Sequence, residues 1–517
     1  MTGTDQKTQF EQGGVAFGPN VTGITKVLAG IERVGNKLPH PFYLFAIIAA
    51  LVAVVSAFVA MTGATTTDPA TGETLQVQSL LSGEGLVYAL TSAIDNFVSF
   101  PPLGLIITVM LGIGLAERVG LLSVFMRGAV LAAPKQLVTI VVVVISIMGN
   151  LASDSAMVII PPLAAVAFMV AGRHPLVGFG ASYAAVTAGF SANVIPAGTD
   201  VLLSGISTSA AQIVDPEAVV TPVSNYFFMA ASTIIIAVAI TLTTGFVEKR
   251  LGTYEGDATA DSEPLTTAER KGLRNTAIVL VLYIAVLVAA VLPAGSPLRG
   301  EEGAILRSPF MSSIPVFLML LFLLAGVTFG ITAKTLTNAK QVPEMMAESV
   351  KELVPFIVVI FTAAQAIAWF GWTNLGLVIA SSGADFLETT NLNGVWGLLI
   401  FSLFVTIPGL LISSGSALWT LLAPIFVPMF MLAGVDPAAT QAAFRITDSA
   451  TNTLVPMNPM IPVVLGLMQR FAPKAGLGTL FSLILPFTLV IWAVWLVQFL
   501  VWGLLGLPVG PGHSIML

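Results

Sequence analysis

Residues 407–429 read IPGLLISSGSALWTLLAPIFVPM, and after a short gap residues 436–459 read DPAATQAAFRITDSATNTLVPMNP. The first stretch sets a polar tip, Ser413-Ser414-Gly415-Ser416, between apolar arms of about a dozen residues. A helix rises about 1.5 Å per residue and the hydrocarbon core of a bilayer is about 30 Å thick, so such arms predict a re-entrant helical hairpin. The second stretch should be a membrane helix, yet it carries Arg445, Asp448 and Asn452 before running into Pro456 and Pro459. A charge in the middle of a membrane costs roughly 3 kcal/mol or more, so groups of this kind face a cavity or a partner. A substrate site is expected here.

Composition agrees with a chain built for lipid. Of 517 residues, 56% are hydrophobic and only 9% charged, against roughly a quarter charged in a soluble domain. The fold class expected is an all-α polytopic membrane protein seated in a lipid bilayer. Absence of cysteine excludes disulfides, thiol catalysis and Cys-ligated metals. With a net charge of −6, nucleic acid is not an expected partner. No Walker A, HExxH or GxSxG pattern is present in its proper context, so neither ATP-driven pumping nor hydrolysis has a signal, and an enzyme is not expected. His40, His174 and His513 are scattered, so no metal or other cofactor is expected.

Taken in order, residues 1–40 form an N-terminal segment without a cleavable signal, and its Lys26, Arg33 and Lys37 place it in the cytoplasm. The first half, 41–246, holds spans at 41–62 and 99–117, a hairpin at 136–170 entering from the cytoplasmic side, a broken helix at 176–206 and a returning span from 224. A polar linker, 247–274, crosses to the second half, 275–517. There we expect spans at 275–293 and 311–332, an interfacial amphipathic helix at 343–352 and a span at 354–381. A hairpin at 394–432 entering from outside follows, then a broken helix at 437–468 and a last span at 478–505 with an external C-terminus. The sum is nine spans and two hairpins.

The halves repeat. An offset of 262 residues lays Asp154 on Ser416 and Pro162 on Pro424, and an offset of 260 lays SANVIP (191–196) on TNTLVP (451–456). An odd number of crossings separates them, so the repeats are inverted, as in secondary transporters whose sites lie between discontinuous helices. Helix ends at tips and breaks can bind ions without placing many full charges in lipid.

Within this frame the candidate substrate-binding residues are Ser413, Ser414, Ser416, Trp419, Arg445, Asn452 and Asn193. Arg445 and Asp448 are three apart on one helix face, so they either neutralise each other or act on substrate and coupling ion. Asp448, Asp200 and Asp154 are the candidates for proton or ion coupling, Asp154 with helix capping as its alternative. Trp419, one turn past the tip, is expected to stack on an aromatic substrate. Pro196, Pro437 and Pro456 are expected as structural breakers. Asp95 and Glu117 are expected at span ends.

The stretches IERVGNKLPHPFYLF (31–45), GNLASDSAMVIIPPL (149–163), GFSANVIPAGTDVLLSGIS (189–207), ISSGSALWTLLAPIFVPM (412–429) and FRITDSATNTLVPMNP (444–459) resemble the AbgT family, the p-aminobenzoyl-glutamate transporters. The resemblance covers essentially the whole chain. It implies a homodimer in the bacterial inner membrane that imports p-aminobenzoyl-glutamate or exports sulfonamide antimetabolites with the proton gradient. It further implies functional roles for Asp200, Ser416, Trp419, Pro437, Arg445, Asp448 and Pro456. Two positions depart from the family pattern: Gly409 where Asn is expected, and Leu418 where Lys is common. The leading expectation is a proton-coupled exporter of small aromatic, folate-related compounds. The alternatives are an importer, a sodium-coupled dicarboxylate-type carrier, a channel and a membrane scaffold.

Overall fold

A computed structural model describes residues 39–67, 71–252, 264–306, 308–455, 458 and 460–517, without the side chains of residues 152–154. Lys26, Arg33, Lys37, Pro456 and the side chain of Asp154 therefore lie outside the described residues. The described chain is almost wholly helical. Helix α1 (Pro41–Met61) leads through a small antiparallel ribbon, β1 (Thr65–Thr67) with β2 (Thr74–Gln76), to α2 (Gly83–Thr91), α3 (Ala93–Val98), α4 (Pro101–Arg118) and α5 (Leu121–Leu131). The first hairpin is α6 (Val138–Met148), a 3₁₀ turn Gly149–Ala152 and α7 (Ser153–Val170). Helices α8 (Pro175–Ala188) and α9 (Gly198–Ala211) are the two pieces of the first broken helix, and α10 (Tyr226–Leu251) closes this half.

The second half runs through α11 (Thr267–Val291), α12 (Ile314–Ala333), α13 (Gln341–Glu352), α14 (Val354–Trp372) and α15 (Leu375–Thr389). Its hairpin is α16 (Gly394–Leu411) and α17 (Gly415–Leu432), its broken helix α18 (Pro437–Asn452) and α19 (Ile461–Met468), and its last helix α20 (Leu477–Leu504). Among the described residues, nine helices are long and apolar enough to cross a membrane.

Three expectations change. The arms of the second hairpin are 18 residues each rather than a dozen, long enough at about 1.5 Å per residue to approach the thickness of the hydrocarbon core. Their length does not decide the matter; their feet do. Met516, near the C-terminus, lies against both feet, 3.3 Å from where a Cβ on Gly394 would stand and 3.7 Å from the same point on Gly434. Val435 also forms a β-bridge with Met516, so the chain leaves the hairpin on the side where it entered. The first hairpin is closed likewise, for Arg173 at the end of α7 hydrogen-bonds Thr139 at the start of α6.

Secondly, the span expected at 354–381 breaks at Thr373–Asn374, where Asn374 adopts a left-handed φ of 60°. Thirdly, Pro437 does not break a helix. It occupies the first turn of α18, where its missing N–H costs nothing, behind Asp436, whose side chain accepts from the Ala438 N–H.

Hairpins and broken helices share one apolar core, to which Phe168, Phe179, Phe444 and Trp495 contribute. A second core joins α4 to α12 through Ile113, Leu115, Phe322 and Phe329. Small residues set the spacing of that contact, because a Cβ on Gly112 would collide with the Met319 carbonyl and one on Gly326 would come within 3.0 Å of the Ala116 Cα. Gly104, on the same helix, faces open space. We expect Gly112→Ala to destabilise the protein by roughly 1–3 kcal/mol through forced separation of α4 and α12. Gly104→Ala should leave the melting temperature unchanged or slightly raised, and melting curves of the two purified variants in one detergent provide the comparison.

Candidate substrate site

Every helix end created by a hairpin tip or a break carries backbone groups without partners in its own helix, and the fold gathers four such places around one space. A cavity of about 430 Å³ is bounded by Asn150 and Leu151 of the first tip and by Ser413, Gly415 and Ser416 of the second. The break between α8 and α9 adds Phe190, Gly198 and Thr199, and the break after α18 adds Asp448, Asn452 and Asn458. Met110 of α4 and Phe356 of α14 close it. The N-terminus of α9 begins at Gly198 and that of α17 at Gly415, so two positive helix ends meet this space. At the second of them Ser414 accepts from the Ala417 N–H at 3.3 Å.

Asp448 stands on the cavity wall next to Gly415, where any Cβ would collide with its Oδ2. Glycine at the tip is therefore what lets the hairpin close over the carboxylate. That carboxylate has no ion pair and no side-chain hydrogen bond among the described residues.

Arg445 does not neutralise Asp448. Its Nη2 lies 2.7 Å from Oδ1 of Asp200 and donates to the Ser191 carbonyl at 3.1 Å, which ties α18 to the break of the opposite repeat. Both side chains are almost wholly buried, at 1% and 4% exposure. Asp200 is itself fixed as the third residue of α9, its Oδ2 accepting from the Ala197 N–H and from Asn193 Nδ2, each at 2.7 Å. A carboxylate in the first turn of a helix also gains from the helix dipole. Asn193 thus orients Asp200 behind the wall and does not line the cavity.

Trp419, expected on an aromatic substrate, is fully buried behind that wall. Its ring packs on Phe444 with centroids 4.6 Å apart, and its Nε1 donates to Ser207 Oγ at 3.0 Å. Ser207 in turn donates to Gln441 Oε1 at 2.7 Å, so one chain of contacts joins α17, α9 and α18. Ser416 and Trp419 are three apart and share a face of α17, but Ser416 stands at the tip and meets the cavity, whereas Trp419, one turn further along, meets Phe444 and Ser207.

Ser413, Ser416, Asn452 and Asp448 line the cavity, and Ser414 lines a neighbouring space of about 210 Å³ with His40. Pro196 lies within the break itself, and Asp95 sits in the short α3. Glu117, expected only to end a span, accepts from the Ser155 hydroxyl beside the first tip. Asn150, Thr199 and Asn458 also line the cavity, beyond the candidates named from the sequence. All three lie inside or beside the tips and breaks quoted above, where being a polar residue in a helix interruption was the available signal. At Gly409 a Cβ would come within 2.7 Å of Thr451 Oγ1, so Thr451 fills the space that a larger residue would need.

Comparison with known proteins gives consistent results. Residues 26–517 match the family described as "AbgT putative transporter family". The p-aminobenzoyl-glutamate transport protein of Escherichia coli (strain K12) is 40% identical over 489 residues, 94% of this chain and 96% of that protein. Among solved structures, the Neisseria gonorrhoeae MtrF structure, described as illuminating a class of antimetabolite efflux pumps, superposes with a TM-score of 0.89 at 40% identity. It covers 94% of this chain and 100% of its own. The Alcanivorax borkumensis YdaH transporter does so with a TM-score of 0.86 at 36% identity, covering 92% and 100%.

Breaking a buried ion pair from one side strands a charge, at a cost of roughly 3–5 kcal/mol. Asp200→Asn and Arg445→Met should each destabilise by about that amount, and the double variant by clearly less than their sum; additive losses in thermal melts would show that the two groups do not act as a pair. Trp419→Ala should cost about 3–5 kcal/mol by opening a cavity. Trp419→Phe, which keeps the ring packing and gives up the hydrogen bond to Ser207, should cost only about 1 kcal/mol.

Proposed function

The chain belongs to the AbgT family of transporters, and from that premise we propose that it is a proton-coupled secondary transporter of small aromatic, folate-related compounds, working as an exporter of antimetabolites such as sulfonamides. Asp448 carries this reading: it is a carboxylate on the wall of the cavity, and the neighbouring arginine is already held by Asp200. With no ion pair of its own among the described residues, Asp448 is open to a proton or to a donor on the substrate.

p-Aminobenzoyl-glutamate and the sulfonamides share an aryl amine, which can donate to that carboxylate. A proton on the same carboxyl takes away its charge and turns one oxygen into a donor, which weakens it as an acceptor, so proton and substrate compete for one group. Competition at a single site that faces alternate sides of the membrane gives exchange of one for the other. The carboxylate or sulfonyl end of the substrate would take hydrogen bonds from Asn452, Ser413, Ser416 and the helix N-termini at Gly198 and Gly415. Its ring would rest between Phe190 and Phe356. Arg445 and Asp200 then act by fixing the two broken helices, in place of the direct contact with substrate expected for the arginine.

One observation favours the sodium-coupled alternative: the buried Oδ1 of Asn150, at the first tip, has no hydrogen-bond partner and is a suitable oxygen for a cation. We propose that the protein sits in the bacterial inner membrane with its N-terminus in the cytoplasm, and that it is a homodimer. Support for the latter comes from α11, which buries only Gly272 and Thr276 within the protomer.

In proteoliposomes, an imposed pH gradient should drive countertransport of a sulfonamide, and Asp448→Asn should reduce that flux by at least tenfold while an imposed sodium gradient has no effect. Flux that survives collapse of the pH gradient, or that follows sodium alone, would refute proton coupling. Uptake of p-aminobenzoyl-glutamate in the direction of the proton gradient would reverse the assigned direction.

A further inference from the structure

A second cavity, of about 560 Å³, shares no lining residue with the first and opens between the end of α5, the beginning of α6, the end of α7 and the beginning of α11. Its walls are apolar, with Val130, Val138, Val166 and Val170. Two exposed cations, Lys135 and Arg270, line it. Two arginines close by are committed, Arg127 to Glu269 at 2.5 Å and Arg173 to Glu248 at 2.6 Å. Lys135 and Arg270 make no ion pair and no side-chain hydrogen bond among the described residues.

Two cations without ion pairs beside an apolar cleft match one ligand chemistry, an anionic head joined to an apolar tail. We propose that this cleft binds an anionic phospholipid, its phosphate between Lys135 and Arg270 and an acyl chain along Val130, Val166 and Val170. Basic residues of this kind lie where the inner leaflet supplies anionic lipid. A free phosphate would leave the apolar walls in water. The chain also has its own acids nearby in sequence, Glu255, Asp257, Asp261 and Glu263, directly before the cleft residues Pro264 and Leu265. Their carboxylates carry no apolar tail to fill the space.

Because Val138 belongs to one arm of the inward hairpin and Val166 and Val170 to the other, a lipid here braces both arms at their feet. The site is thus a place where membrane composition acts on the element that carries Asn150 to the substrate.

The test uses the full chain, purified and titrated with phosphatidylglycerol or phosphatidylcholine, with bound lipid counted by native mass spectrometry. Phosphatidylglycerol should bind more tightly than phosphatidylcholine. Each of Lys135→Gln and Arg270→Gln should weaken it roughly fivefold, while phosphatidylcholine binding is unchanged. Ala167→Trp, which fills the cleft, should abolish the preference without touching either cation. Millimolar inorganic phosphate should not displace the lipid. Equal binding of both lipids, an undiminished preference in the Lys135→Gln/Arg270→Gln variant, or displacement by phosphate would overturn the proposal. So would a preference that emerges only when the four acids at 255–263 are neutralised, which would make that stretch the occupant.

Discussion

The buried pair of Arg445 and Asp200 is the contact on which the candidate substrate site depends. It joins the helix that carries Asp448 to the break of the opposite repeat, and it does so where a lone charge would be strongly unfavourable. Asp200 is held in turn by its place in the first turn of α9, by the Ala197 N–H and by Asn193. With Arg445 paired to Asp200, Asp448 is left facing the cavity without an ion pair of its own among the described residues. One ion pair therefore fixes the geometry of two broken helices and the availability of the carboxylate between them.

Around that pair the site is built from interruptions. Two tips and two breaks bring helix ends and polar side chains to a space inside an apolar bundle, and each interruption is stabilised by something outside itself. The feet of the second hairpin close on Met516, those of the first on Arg173, and the tip residue Gly415 is admitted against Asp448 because it has no Cβ. Behind the wall, Trp419, Ser207 and Gln441 connect α17 and α18 of the second half to α9 of the first. Rigid backing of this kind lets the polar face remain under-satisfied and open to a ligand.

Much of this was legible in the chain. Hydropathy and the polar tips located both hairpins, the prolines and asparagines located both breaks, and the inverted repeat predicted that they would meet. Ser413, Ser416, Asn452 and Asp448, candidates because a polar residue in an apolar stretch has few other reasons to be there, lie on the wall of the cavity. Trp419, Asn193 and Arg445 were placed on the substrate for the same reason, and the structure puts all three behind the wall. A buried polar group is satisfied equally well by a protein partner, and which partner it meets depends on helices hundreds of residues away in sequence.

By itself, then, the sequence determined the all-helical membrane class, the places where helices are interrupted and the pairing of the two halves, because these follow from local periodicity, helix breakers and the unfavourable burial of charge in lipid. Only the tertiary structure decided that Arg445 pairs with Asp200 and not with Asp448, that Trp419 packs on Phe444, and that the feet of the second hairpin lie on one side despite arms of 18 residues. Spacing along one helix states which side chains share a face. It does not state which other helix that face will meet, and that choice is made by the packing of the whole bundle.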